Sequence, residues 1–231
     1  MTNKEFYIQW NEAKKLNTDN EFEKSIKIYQ LLVPELENIE NIIPKQDDVS
    51  DEYYTKQIHF EKAMFWGDYS APLCNDGQFE LALNISDKAL YHKEKGEFST
   101  MLYIIFNRAN ISLFSKKYQE AIFWYDKAIF ENESNGIWLN ENEKASYYNN
   151  KAEALYFLKC YDEAEKWFLK SINAVDNNKD FEPFYFLSEI YKLKGDNKSS
   201  QKFQKMFLTR KNKLTEKVFN QRIRFYNIQN L

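Results

Sequence analysis

Two histidines, two cysteines and a set of clustered amides are the side chains of this 231-residue chain that could carry chemistry. His59 and His92 are its only imidazoles, and neither stands in a metal-ligand spacing such as HExxH. His92 follows Tyr91 near the end of a helical stretch, where a solvated histidine beside a helix C-terminus is expected. Cys74 and Cys160 lie far apart with no CxxC pair, which predicts reduced thiols packed within helical segments rather than a disulfide framework. No glycine-rich phosphate loop and no GxSxG elbow is present, and the acids are scattered as solvated helix faces would be. The residues therefore assign no catalytic group, no metal ligand and no cofactor. The amides differ. Asn107, Asn110, Asn149 and Asn150 sit inside helical patterns to which asparagine contributes little stability. A carboxamide can donate to and accept from the same peptide unit, so the chemistry on offer is backbone recognition.

The elements that carry these residues are helices. Apolar residues recur at helical spacing along nearly the whole chain, and the two clearest stretches, 102–133 and 145–176, share one layout. Ala109 matches Ala152, Tyr118 matches Tyr161, Ala121 matches Ala164, Tyr125 matches Phe168, and Ile129 matches Ile172. This is the signature of a stacked helical hairpin. The pattern predicts hairpins over roughly 3–43, 51–93, 97–131, 141–176 and 180–210, closed by an amphipathic capping helix over 214–228, as one domain spanning 1–231. Pro34 is expected to kink the second helix, Gly67 and Pro72 to weaken the end of the third, and Asn132–Asn140 to form a loop presenting Ile137 and Trp138. A small residue opens each second helix at Ser25, Ala82, Ala121, Ala164 and Ser200, at intervals of 57, 39, 43 and 36.

Composition agrees with this reading. Hydrophobic residues make up 43% and charged residues 29%, enough for a folded core, and only 5 Gly and 4 Pro interrupt the helices. A net charge of −3 argues against a nucleic-acid binder. The charge is uneven: residues 1–60 hold 7 Lys+Arg against 12 Asp+Glu, and residues 194–231 hold 10 against 2. The basic end, including Lys198, Lys202, Lys205, Arg210, Lys211, Lys213 and Lys217, is read as a solvated outer face because no base-stacking motif accompanies it. No apolar run approaches a membrane span and the first residues lack a signal-peptide core, which predicts no membrane partner and a cytoplasmic location.

On these residues the chain resembles the tetratricopeptide repeat family. Tyr148, Ala152, Leu155, Tyr161, Ala164, Phe168 and Ser171 match its pattern in the fourth hairpin, with Asp176 where the family usually has Pro. In the third hairpin Ile105, Ala109, Ser112, Tyr118, Ala121, Tyr125 and Ala128 match it. Trp66, Phe79, Ala82 and Ala89 in the second hairpin, and Ala13, Phe22, Ser25 and Tyr29 in the first, match in part. The fifth hairpin is degenerate. The small residues let paired helices approach closely while the aromatics fill the space beside them.

The resemblance implies an all-α, right-handed superhelical array whose first helices line a concave groove for a protein or peptide partner. It implies partner-binding residues at Tyr103, Asn107, Asn110, Asn149, Asn150, Glu153, Tyr156, Tyr185 and Glu189. Family members that clamp the carboxylate tails of heat-shock chaperones use Lys, Asn, Asn, Lys and Arg. Here those positions hold Phe106, Asn110, Asn150, Glu182 and Phe186. The cations are gone, so the co-chaperone role is rejected. The functional expectation is a non-enzymatic interaction module. The alternatives are a stoichiometric inhibitor of the immunity-protein or antitoxin type, and a peptide-sensing regulator.

Overall fold

The computed structural model describes residues 1–98, 101–134, 140–175, 180–216 and 219–220. Its helices are α1 (Asn3–Thr18), α2 (Phe22–Glu37), α3 (Ile39–Ile42), α4 (Asp51–Asn75), α5 (Phe79–Lys95), α6 (Leu102–Phe114), α7 (Tyr118–Ser134), α8 (Glu141–Phe157), α9 (Tyr161–Ala174), α10 (Glu182–Leu193) and α11 (Asn197–Lys211). No strand occurs among the described residues. The fold is all-α. The chain forms two compact units, Met1–Ser115 with Asp126–Ile137, and Lys116–Tyr125 with Trp138–Leu231, so the division falls inside α7. Most of the capping helix expected at 214–228 lies outside the described residues, as do Ile137 and Trp138 of the expected loop.

A fixed ruler sets each hairpin. The turn after each first helix places one residue at positive φ: Asn20, Gly77, Lys116, Lys159 and Gly195. The next amide then reaches back to close the helix end, as Glu21 N does to Leu16 O (2.8 Å), Gln78 N to Leu73 O (2.9 Å), Cys160 N to Leu155 O (3.0 Å) and Asp196 N to Tyr191 O (3.0 Å). Five residues after each positive-φ position comes the small residue of the second helix, and twelve residues before that stands another small residue on the first. The pairs are Ala13 and Ser25, Ser70 and Ala82, Ala109 and Ala121, Ala152 and Ala164, and Ser188 and Ser200. Ser25 Oγ donates to Ala13 O at 2.8 Å and Ser200 Oγ to Ser188 O at 2.9 Å, so the two serine variants join the helices by the same bond.

Helices α1, α4 and α8 are capped by side chains: Thr2 with Glu5 and Asn140 with Glu143 form reciprocal capping boxes, and Ser50 Oγ accepts from Tyr53 N. Second helices α2, α5 and α9 carry no side-chain cap, whereas at α11 Asp196 Oδ1 accepts from Ser199 N at 3.0 Å.

Several local expectations are corrected. Helix α2 continues past Pro34 and ends before Asn38, whose Nδ2 donates to Pro34 O (3.0 Å), so the long helix expected here is interrupted one turn after the proline. Helix α4 passes through Gly67 and Pro72 and ends only at Asn75. Gly67 is there for close approach: an added Cβ would lie 3.2 Å from the Tyr103 ring and 3.3 Å from Ile104. Helix α6 begins at Leu102, later than expected, and α7 extends to Ser134, past the expected end at 131. Cys74 is buried as expected, but Cys160 is exposed, because it sits at the turn directly after positive-φ Lys159.

Each unit has its own aromatic core. In the first, Phe65 is fully buried with Phe6, Trp10 and Tyr29 at ring distances of 6.0, 5.4 and 5.3 Å. In the second, Phe168, Phe181, Phe184 and Phe186 are sealed together, with Phe168 and Phe186 stacked at 5.3 Å.

Candidate functional site

In the first unit the first helices α1, α4 and α6 hold a polar aromatic cluster. Trp10 Nε1 donates to Asp68 Oδ2 at 3.0 Å, and Lys14 Nζ pairs with the same oxygen at 3.2 Å. Burial raises the Asp68 carboxyl above its ordinary range, against the opposing pull of Lys14 and the Trp10 hydrogen bond. Burial likewise raises Glu61, opposed by a hydrogen bond from Tyr7, while the Tyr7 phenol is raised by burial and then by the Glu61 charge. Tyr103 Oη donates to Met64 Sδ at 2.8 Å, and its phenol is raised first by burial and then by Asp68. Asn107 Nδ2 reaches Gly67 O at 3.5 Å, and Asn110 is partly buried on the same helix. Two partly desolvated carboxylates framed by aromatic rings make a surface that favours a cation.

In the second unit the predicted residues divide by depth. Asn149 and Glu153 are buried, and Asn149 Nδ2 donates to Glu153 Oε1 at 2.7 Å and to Asn150 Oδ1 at 3.2 Å. Glu153, expected on a groove wall, is fully buried; it and Asn149 lie one helical turn apart on the inward stripe of α8. Asn150 is partly exposed. Tyr156 packs on Phe186 (4.9 Å) and Tyr161 (5.5 Å), and burial pushes its phenol up to about 12, with Tyr185 and Glu189 adding to the effect. The Tyr185 phenol is raised by burial and then by Glu189. Tyr156, Tyr185 and Glu189 therefore form one half-buried cluster on α8 and α10. Of the former clamp positions, Glu182 and Phe186 are both buried.

Sequence reasoning missed Tyr7, Trp10, Lys14, Glu61 and Asp68 as a polar cluster. The available signal was Asp68 itself, a carboxylate inserted among Phe65, Trp66 and Tyr69. The histidines are also corrected. His92 is not a lone solvated ring; its Nδ1 lies 2.8 Å from His59 Nδ1.

The tetratricopeptide repeat family model matches residues 102–134 and 145–174. No curated protein matches the chain in sequence. Among solved structures it is similar to kinesin light chain-like TPR-like repeats from Podosopora anserina, at 12% identity and TM-score 0.65, covering 93% of this chain and 98% of that one. It is similar to the apo form of RapI, at 17% identity and TM-score 0.67, covering 96% of this chain and 57% of that one. A Rap protein complexed with Competence and Sporulation Factor gives 18% identity and TM-score 0.67, covering 89% of this chain and 53% of that one. The chain thus spans little more than half of either Rap structure. At these identities the likeness shows the fold.

Proposed function

We propose that this chain, two stretches of which match the tetratricopeptide repeat family model, is a non-enzymatic cytoplasmic module that holds a protein or peptide partner against the faces of its first helices. The observation that carries the reading is the cluster of Tyr156, Tyr185 and Glu189, left half-exposed beside a sealed core. Rings with polar tips in that position are enriched at interfaces. Asn150 on α8 supplies a further contact in the same unit, and Tyr103, Asn107 and Asn110 on α6 offer a separate set in the first unit. Buried Asn149 and Glu153 orient Asn150 from below rather than touching the partner. The acidic aromatic cluster of Glu61 and Asp68 suits a partner segment that carries Lys or Arg.

The test is capture of the partner with a tagged chain from its own cells, followed by calorimetry on purified components. Asn150→Ala with Tyr156→Phe keeps the ring packing and removes two polar tips, and should weaken binding by about 1–2 kcal/mol per contact. Helicity should be unchanged. Full affinity in that folded variant would sink the assignment of these contacts. A second reading, a peptide-sensing regulator, is favoured by the likeness to the Rap protein complexed with Competence and Sporulation Factor. It requires that a short peptide alone bind the chain and alter its hold on a second protein.

A further inference from the structure

The first unit carries a second cluster, away from the first-helix faces just described. Helices α2, α4 and α5 surround a cavity of about 270 Å³ lined by Leu36, Glu37, Lys62, Trp66, Lys88 and His92. His59, on α4, meets His92, on α5, at 2.8 Å between Nδ1 atoms. Three ammonium groups gather at this histidine pair: Lys62 acts on both rings, Lys88 on His92 and Lys95 on His59. Lys14, Lys56 and Lys93 of the same unit all pair with carboxylates. Among the described residues Lys62, Lys88 and Lys95 form no ion pair; Lys88 lies over the Trp66 ring at 4.4 Å and Lys95 over Tyr91 at 5.7 Å. Glu37 is the one carboxylate lining the cavity.

Cations that outnumber the single carboxylate beside them raise the free energy of the folded chain unless a further anion joins them. The histidines register the imbalance. Both imidazoles are pushed down, by burial first and then by the surrounding positive charge, and His92 falls to about 4. A metal cation would meet the same repulsion, so the charge selects an anion. Lysines are point charges on flexible stems and suit a phosphoryl group approached from several sides. Leu36 and Trp66 add apolar lining, so the cavity favours a phosphate that carries a small organic group.

We propose that the cavity between α2, α4 and α5 is a binding site for a small soluble phosphate monoester, held by Lys62, Lys88 and His92, with Leu36 and Trp66 against its organic group. Lys95 reaches the site through His59. The chain has only two histidines, so their imidazole C–H resonances report on this site without interference.

Phenyl phosphate and inorganic phosphate are titrated separately into the intact chain at near-neutral pH and low salt, and both rings are followed by NMR. Saturable shifts of both histidines are expected, with phenyl phosphate several-fold tighter. The titration midpoint of His92 should rise by about one pH unit in the saturated form. Lys62→Gln with Lys88→Gln should weaken binding at least about tenfold, and Glu37→Gln should strengthen it, because long-range charge controls anion capture. Helicity by circular dichroism should match wild type in both variants. Absence of saturable shifts with phenyl phosphate overturns the site. Equal affinity in the double lysine variant overturns it too, and phenyl phosphate binding no tighter than inorganic phosphate overturns the monoester assignment.

Discussion

In the first unit aromatic tips meet carboxylates: the Trp10 indole N–H rests on Asp68 and the Tyr7 phenol lies beside Glu61. In the second unit aromatic rings meet one another: Tyr156, Phe157, Phe168 and Tyr185 all surround Phe186. The helical ruler is the same in both. Both units bury rings against one another; what the first adds is a pair of partly desolvated carboxylates, Glu61 and Asp68, held by ring tips beside that core. A repeat scaffold therefore leaves the chemistry of each first helix free to change while the small-residue pairs stay fixed.

The largest effect should come from the second unit. Phe186→Ala removes a buried ring with four aromatic neighbours and should cost about 3–5 kcal/mol in urea unfolding. A cost under about 1 kcal/mol, within the range of an ordinary surface change, would show that the second unit does not depend on ring packing. The charge-holding half is probed by Trp10→Phe, which keeps most of the packing and deletes the donor to Asp68. It should cost about 1–3 kcal/mol, because a desolvated carboxylate then loses a hydrogen bond. If that variant is neutral, the polar reading of the first unit is wrong.

Acid should separate the units further. His92 has its proton affinity depressed from 6.5 to about 4 in the folded chain. The unfolded chain therefore binds the extra proton across that window, and the His92 contribution to stability should fall as pH drops from about 6.5 to about 4. Glu61 and Asp68 oppose it, because their raised carboxyls take up protons first in the folded chain. The ring is only half-buried, so solvent screening cuts the effect to about 1–2 kcal/mol. Amide hydrogen exchange should show α4 and α5 loosening ahead of α9 and α10, and His92→Gln should shrink the difference. Uniform loosening in wild type would break the contrast. The smallest effect is at a turn: Lys159→Gly relieves a side chain held at positive φ and should stabilise by about 0.5–1 kcal/mol, read as a small rise in Tm.

The hairpins were legible because small residues and turn residues recur at fixed local offsets. Ala109, Ala121, Ala152 and Ala164 are buried where the periodicity placed them. Ser70 escaped notice because Gly67 and Pro72 on either side suggested a fraying helix, whereas the glycine serves the approach of Tyr103. Depth on α8 was not legible either: Asn149 and Asn150 are adjacent polar residues, and only the packed helix shows that one faces inward. The meeting of His59 and His92 depends on the lateral register of α4 against α5, which no spacing within one helix encodes.

The constant step from turn to small residue also says where the chain tolerates change. Each hairpin measures itself from its own positive-φ residue, while the distances between hairpins vary from 36 to 57 residues. Extra length inserted between hairpins leaves every internal offset intact, whereas one residue added between Lys159 and Ala164 puts a different side chain opposite Ala152. The polar segment at 44–49, between α3 and α4, is therefore the natural graft point for a foreign peptide or a second domain.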